Sequence, residues 1–225
     1  MGEISEKNEI SENKQPEVEN YKDIKPETES NSEEAKQYLD NLFSKEIDNS
    51  DEEEKENPHQ EGVDGKTYYY DDNGKLYRVE NELAPNTEYE ISGYKYTTDN
   101  QGRIVSAEGT LRMKEREGRL PIKDSIEDIG KGDQKEGDDR GHLIGDQFDG
   151  SNGLENMIPQ DASINRNDYK NFENELAKEV KDRKEVTVNV EPVYDGDSKR
   201  PIAVIVTYSI AGEESVRVFP NGQEE

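Results

Sequence analysis

Residues 139–145 read Asp139-Arg140-Gly141-His142-Leu143-Ile144-Gly145, and Asn156-Met157-Ile158-Pro159-Gln160 follows after a short intervening loop. His142 is one of two histidines in the chain, and the other, His59, lies in a stretch without apolar pattern. Leu143 and Ile144 anchor the first run as a strand. On it Arg140 and His142, two residues apart, share a face, and Asp139 looks the other way. Residues 163–184 then read as a helix, with Tyr169, Phe172, Leu176, Ala177 and Val180 on one apolar stripe. Asn165 and Glu173 stand eight residues apart, about 80° in helical projection, and so fall on one side of it.

Working outward, Thr67-Tyr68-Tyr69-Tyr70 and Lys75-Leu76-Tyr77-Arg78-Val79 flank Asp71-Asp72-Asn73-Gly74, which predicts a hairpin turning at Asn-Gly. The aspartates there lack the spacing and closing glutamate of a calcium loop. Residues 89–98 and 103–113 predict a second hairpin around Asp99-Asn100-Gln101-Gly102, and 124–137 read as a polar connecting loop. Beyond the helix, Val186, Val188 and Val190 alternate as in a half-buried strand, and 202–210 and 215–219 predict two more strands. Antiparallel strands with one main helix make an α+β domain.

Composition sets the borders. The chain has 225 residues, 28% hydrophobic, with a formal charge of −26 and a mean hydropathy of −1.25. Residues 1–60 carry 19 acidic and 7 basic side chains, net −12. Such a segment buries too little apolar surface to offset its ordering entropy, so 1–61 is expected to be a disordered acidic tail. Within it Tyr38, Leu39, Leu42 and Phe43 recur at helical spacing, predicting a short amphipathic helix over 31–47 that is marginal in isolation. The folded domain is expected to be 62–225. Its acidity argues against non-specific adhesion to nucleic acid or to an anionic membrane, while leaving room for a locally basic cleft. There is no cysteine, no apolar run near 18 residues and no Sec-type leader, so the expectation is a protein that is cytoplasmic as made, without a membrane partner.

His142 is the side chain suited to proton transfer near neutral pH. Arg140 offers a planar cation for a phosphate oxygen. The amide of Asn165, beside waters held by Glu173, suits a hard cation such as Mg²⁺ that keeps most of its hydration. Arg112, Lys114, Arg116 and Arg119 cluster in an otherwise acidic chain and read either as a nucleic-acid-facing rim or as a solvated face balanced by Glu115 and Glu117. Base, cation and metal together favour phosphodiester hydrolysis over acyl transfer.

The DRGH of 139–142, the NMIPQ of 156–160 and the pair Asn165 and Glu173 closely resemble the DNA/RNA non-specific endonucleases of the ββα-metal (His-Me finger) superfamily. The strands downstream resemble the branch that includes nuclease toxins of type VII secretion. The resemblance implies a ββα-metal finger core, with His142 as general base, Asn165 as the direct ligand of one Mg²⁺ (Mn²⁺ as alternative) and Glu173 holding its waters. It implies that Asn156 orients His142 or the substrate and that Arg140, flanked by Asp139, stabilises the phosphate. The implied substrate is DNA, with RNA as a second, cut with little sequence specificity. The implied setting is a secreted toxin leaving by a type VII route, with an immunity or chaperone protein as partner. A competing reading of the acidity is a non-catalytic binding protein, a degenerate nuclease fold or DNA mimic that would not need the complete polar set.

Overall fold

In the computed structural model, residues 21, 33–43, 59–62 and 64–222 are described. The Asn73-Gly74 reversal joins β2 (Thr67–Tyr70) to β3 (Leu76–Val79). With β1 (His59–Glu61) and β4 (Glu82–Leu83) they form a small antiparallel sheet in the order β1-β2-β3-β4. Residues 59–61, assigned to the tail from composition, therefore belong to the fold. A helix, α1 (Glu33–Phe43), lies inside the span expected to be helical and packs on this sheet: Leu42 is buried against Tyr68 and Val79, with Phe43, Tyr70 and Leu76 around them. Apolar contact supplies what a helix of this length lacks in water. The rest of the expected acidic tail lies outside the described residues, apart from Tyr21, which covers Ala203, Ile205 and Val218.

The main sheet takes up β5 (Glu88–Ile91), β6 (Tyr94–Thr98) and β7 (Ile104–Thr110) from the second tyrosine-rich stretch. Residues 89–98 are not one strand: Ser92 and Gly93, with φ of 54° and 69°, turn the chain between β5 and β6. Positive φ at both central positions is what a two-residue hairpin of matching twist requires, and glycine supplies it at least cost. Three strands from the C-terminal part join β7: β10 (Val186–Val193), β11 (Ala203–Ile210) and β12 (Glu213–Pro220), giving the order β12-β11-β10-β7-β6-β5. On β10 burial alternates strictly, with Val186, Val188 and Val190 inward. The polar stretch 124–137 contains a helical turn, α2 (Ile126–Gly130), closed by a capping box between Ser125 and Asp128.

The remaining elements carry the sequence motifs. Strand β8 (Asp138–His142) pairs antiparallel with β9 (Met157–Asp161), Gly141 opposite Ile158 and His142 opposite Met157. A π-helical segment (Ile164–Tyr169) runs into α3 (Lys170–Lys181). Strand, strand and helix form a finger whose apolar side (Leu143, Ile144, Phe148, Met157, Ile158, Phe172, Leu176) meets the inner face of the main sheet in one core. The sheet's tyrosines reach the finger's loop directly: Tyr94 donates to Phe148 O at 2.6 Å and Tyr89 to Glu155 O at 3.3 Å. Tyr169 donates to Leu143 O at 2.8 Å, locking the helix over β8. The far end of the strand pair is tied to the last strands. Arg200 holds Asp138 through two bonds of 2.7 and 2.8 Å, and Asn221 bonds to Asp161 N, Pro159 O and Pro201 O.

The Asp138–Arg200 pair is almost fully buried. Removing one member of such a pair strands the other charge, so Asp138→Ala should lower unfolding free energy by about 3–5 kcal/mol, measurable by denaturant titration.

Candidate active site

His142 ends β8 where the strand meets a loop, and it is only 7% exposed. Its Nε2 lies 2.9 Å from Asn152 Oδ1. Asn152 Nδ2 in turn donates to Asp146 Oδ1 at 3.4 Å. A carboxylate only accepts, so the amide's NH₂ faces Asp146 and its oxygen faces the ring. The imidazole therefore donates from Nε2, which puts the basic lone pair on Nδ1. Burial is the main cause that lowers the histidine's pKa to about 4, with Arg119 and Lys170 adding to it and Asn152 and Asp146 opposing. The ring is neutral at physiological pH, the state a proton acceptor needs.

Glu173 lies in the first turn of the finger helix α3. The charges acting on it are Lys170, Arg119 and Asp146, the three that act on His142. Its carboxylate lies over the backbone of Gly145, where a methyl group would overlap it. The glycine is needed there for space and not for conformation, since its φ is −64°. Burial raises Glu173 to a pKa of about 7, and among the described residues it forms no ion pair. A half-buried carboxylate that no cation pairs directly gains from a divalent ion. Together with the amide oxygen of Asn165 it would make a hard, mostly hydrated donor set of the kind Mg²⁺ accepts. Among the described residues no three His, Cys, Asp or Glu side chains converge, so such an ion would keep most of its water.

Asn165 sits in the π-helical segment, whose wider i→i+5 turn replaces the α-helical arithmetic linking it to Glu173. Its Nδ2 donates to Asp139 Oδ2 at 3.0 Å, and Arg166 grips the same carboxylate at 2.8 and 2.6 Å. Burial opposes ionisation of Asp139, but these bonds outweigh it and hold its pKa below the usual range. Asp139 thus orients the Asn165 amide, turning Oδ1 away from the bond. The structure sets His142 and Glu173 among the same charged groups, and bonds Asn165 to Asp139.

Two expectations change. Asn156 does not reach the His142 ring. It is fully buried, donates to Ile144 O (2.8 Å) and Ser151 O (2.7 Å), and accepts from Ile144 N (2.9 Å), fixing the path of the chain after β8. The basic rim is largely spent inside the protein. Lys114 and Arg116 hold Asp146 at 2.5 and 2.6 Å, and Arg112 holds Asp149 at 3.0 Å and lies over the Tyr94 ring. Arg119 differs: it is exposed, and its charge bears on both His142 and Glu173. Arg140 is exposed on the His142 side of β8 and donates to Asp124 O at 3.1 Å. Asn152, Asp146 and Lys170 escape the sequence reading. Asn152 and Asp146 resemble ordinary turn residues in a glycine-rich loop, and nothing but the fold brings them to the ring.

A neutral histidine, a half-buried carboxylate and exposed cations on a strand–strand–helix finger suit the hydrolysis of phosphate esters. The chain belongs to the DNA/RNA non-specific endonuclease family, whose pattern matches residues 85–212. It is 33% identical over 148 residues to the type VII secretion system protein EssD of Staphylococcus aureus (strain USA300), covering 62% of this chain and 24% of that protein. It is 26% identical over 121 residues to the probable deoxyribonuclease RhsA of Dickeya dadantii (strain 3937), covering 53% of this chain and 8% of the relative. The chain thus spans about a quarter or less of the curated relatives it matches. A crystal structure of NucA from Streptococcus agalactiae with magnesium ion bound is also similar, with a TM-score of 0.44 and 19% identity, covering 86% of this chain and 92% of that one.

His142 and Glu173 bear on stability with opposite sign. Between pH 6.5 and about 4 the unfolded chain takes a proton on His142 that the fold refuses, so stability falls with acid. Between pH 4.5 and about 7 the fold retains a proton on Glu173 that the unfolded chain has lost, so stability falls as pH rises. In chelator at pH 8, Glu173→Gln should therefore be more stable than wild type by about 1–3 kcal/mol, a gain absent at pH 4.5. Thermal melts at the two pH values measure it.

Proposed function

We propose that the chain is a metal-dependent endonuclease hydrolysing phosphodiester bonds of DNA, with RNA as a second substrate. The observation that carries the proposal is that His142 and Glu173 feel the same three charged groups, Lys170, Arg119 and Asp146, the ring neutral with Nδ1 as its basic atom. His142 Nδ1 takes the proton of the attacking water as its oxygen bonds to phosphorus and the bond to the leaving oxygen breaks. Arg119 and Lys170 hold phosphate oxygens in place, and Asp139 keeps Asn165 in position. Asn165 and Glu173 would hold a Mg²⁺, which supplies charge neutralisation at the leaving oxygen when bound. The free cations address phosphate, which every nucleotide carries, so little sequence preference follows.

The similarity to a type VII secretion system protein supports a setting for this activity. In it the chain is the nuclease part of an effector, made in the cytoplasm and exported by that route, with an immunity or chaperone protein restraining it before export. Among the described residues no helix is long and apolar enough to cross a membrane.

Plasmid nicking should be abolished by EDTA, restored by Mg²⁺, and reduced at least about 100-fold by His142→Ala with the fold intact by circular dichroism. An alanine variant cleaving at the wild-type rate would overturn the proposal. The two kinds of cation separate in a salt series: Arg119→Ala should weaken DNA binding and lower its salt slope by about one unit, whereas Arg112→Ala should leave the slope unchanged.

A further inference from the structure

The loop between β8 and β9 contains one carboxylate at which two parts of the molecule meet. Asp146 accepts from Lys114 Nζ at 2.5 Å, from Arg116 Nη2 at 2.6 Å, from the Leu120 backbone N–H at 3.4 Å and from Asn152 Nδ2 at 3.4 Å. Lys114 and Arg116 both donate also to Gly118 O, so the basic segment is folded back on itself around this one group. Its charge is matched by two cations held in fixed positions, and it has no donor of its own. The only part of Asn152 it can receive is the NH₂ group. The amide oxygen is then left for the imidazole, which must supply the hydrogen from Nε2.

We propose that Asp146, braced by Lys114 and Arg116, is a positioning residue that fixes the Asn152 amide and through it the Nε2–H tautomer of His142. Lys114 and Arg116 are thereby part of the catalytic apparatus without touching substrate. The isolated Asn152 side chain has no preference between its two orientations, since either end satisfies a neutral imidazole. Reversed, it draws the ring into the Nδ1–H tautomer and removes the lone pair from Nδ1. The charged anchor removes that degeneracy.

The consequence for activity rests on the endonuclease reading, but the tautomer is measurable without it. In the full chain labelled with ¹⁵N-histidine, long-range proton–nitrogen correlation should show His142 protonated on Nε2 with a pyridine-type Nδ1. Asp146→Ala should bring in the Nδ1–H form and lower kcat by about 10- to 100-fold with KM within about threefold, since no substrate contact is lost. The double variant Lys114→Met, Arg116→Met leaves Asp146 unanchored and should shift the same signals in the same direction, which keeps the test available if the alanine variant does not fold. A wild-type ring protonated on Nδ1, or a folded variant with the wild-type tautomer, overturns the proposal. If the wild type shows the Nε2–H form but cuts no nucleic acid, the positioning stands and the endonuclease reading fails.

Discussion

The antiparallel pairing of β8 with β9 is the constraint on which the site depends. One end is tied to the main sheet by Arg200 on Asp138 and by the three bonds of Asn221. The other is closed by Asn156, whose side chain replaces missing backbone partners at Ile144 and Ser151. Between these anchors the register can take one value, and that value sets where the His142 ring emerges. A slip by one residue would turn the histidine to the other face of the pair. Polar side chains do this in place of further strands because the finger is too short to be held by its own ladder.

A nuclease domain inside a chain of charge −26 raises an electrostatic question that the ion pairs answer. Most cations near the site neutralise carboxylates of the protein itself: Arg166 on Asp139, Lys114 and Arg116 on Asp146, Arg112 on Asp149, Arg200 on Asp138. Arg119 and Lys170 remain exposed, and both act on His142 and Glu173. Net charge governs long-range approach, whereas two cations beside the reacting group govern contact, and the two scales are separated by the screening length of about 8–10 Å. The protein can therefore be acidic overall and still receive a phosphate locally.

The architecture was largely legible, because tyrosines and valines at period two and one long amphipathic helix leave few alternatives. Residues 89–98 read as a single strand because β-forming residues run on through Ser92 and Gly93; the reversal needs positive φ, which composition does not reveal. The π-helical segment was illegible for a similar reason: it changes the winding of a helix without changing its composition. His142 stood out through its rarity and its neighbours. Asn152 and Asp146 did not, since their roles depend on the path of a loop. The basic cluster was visible as charge, but a sequence does not say which cations are already paired.

The tyrosines that join sheet and finger have an optical consequence. The chain holds twelve tyrosines and no tryptophan, so its near-ultraviolet spectrum comes almost wholly from phenol rings. Tyr77, Tyr89 and Tyr96 stack in series with centroids 4.8 and 5.5 Å apart, and Tyr89 and Tyr94 are bonded to the loop that carries the histidine's partners. Stacked chromophores in a chiral interior produce dichroism that vanishes when packing loosens, even where secondary structure persists. The protein thus contains its own spectroscopic gauge of whether the finger is seated on the sheet, with no label introduced.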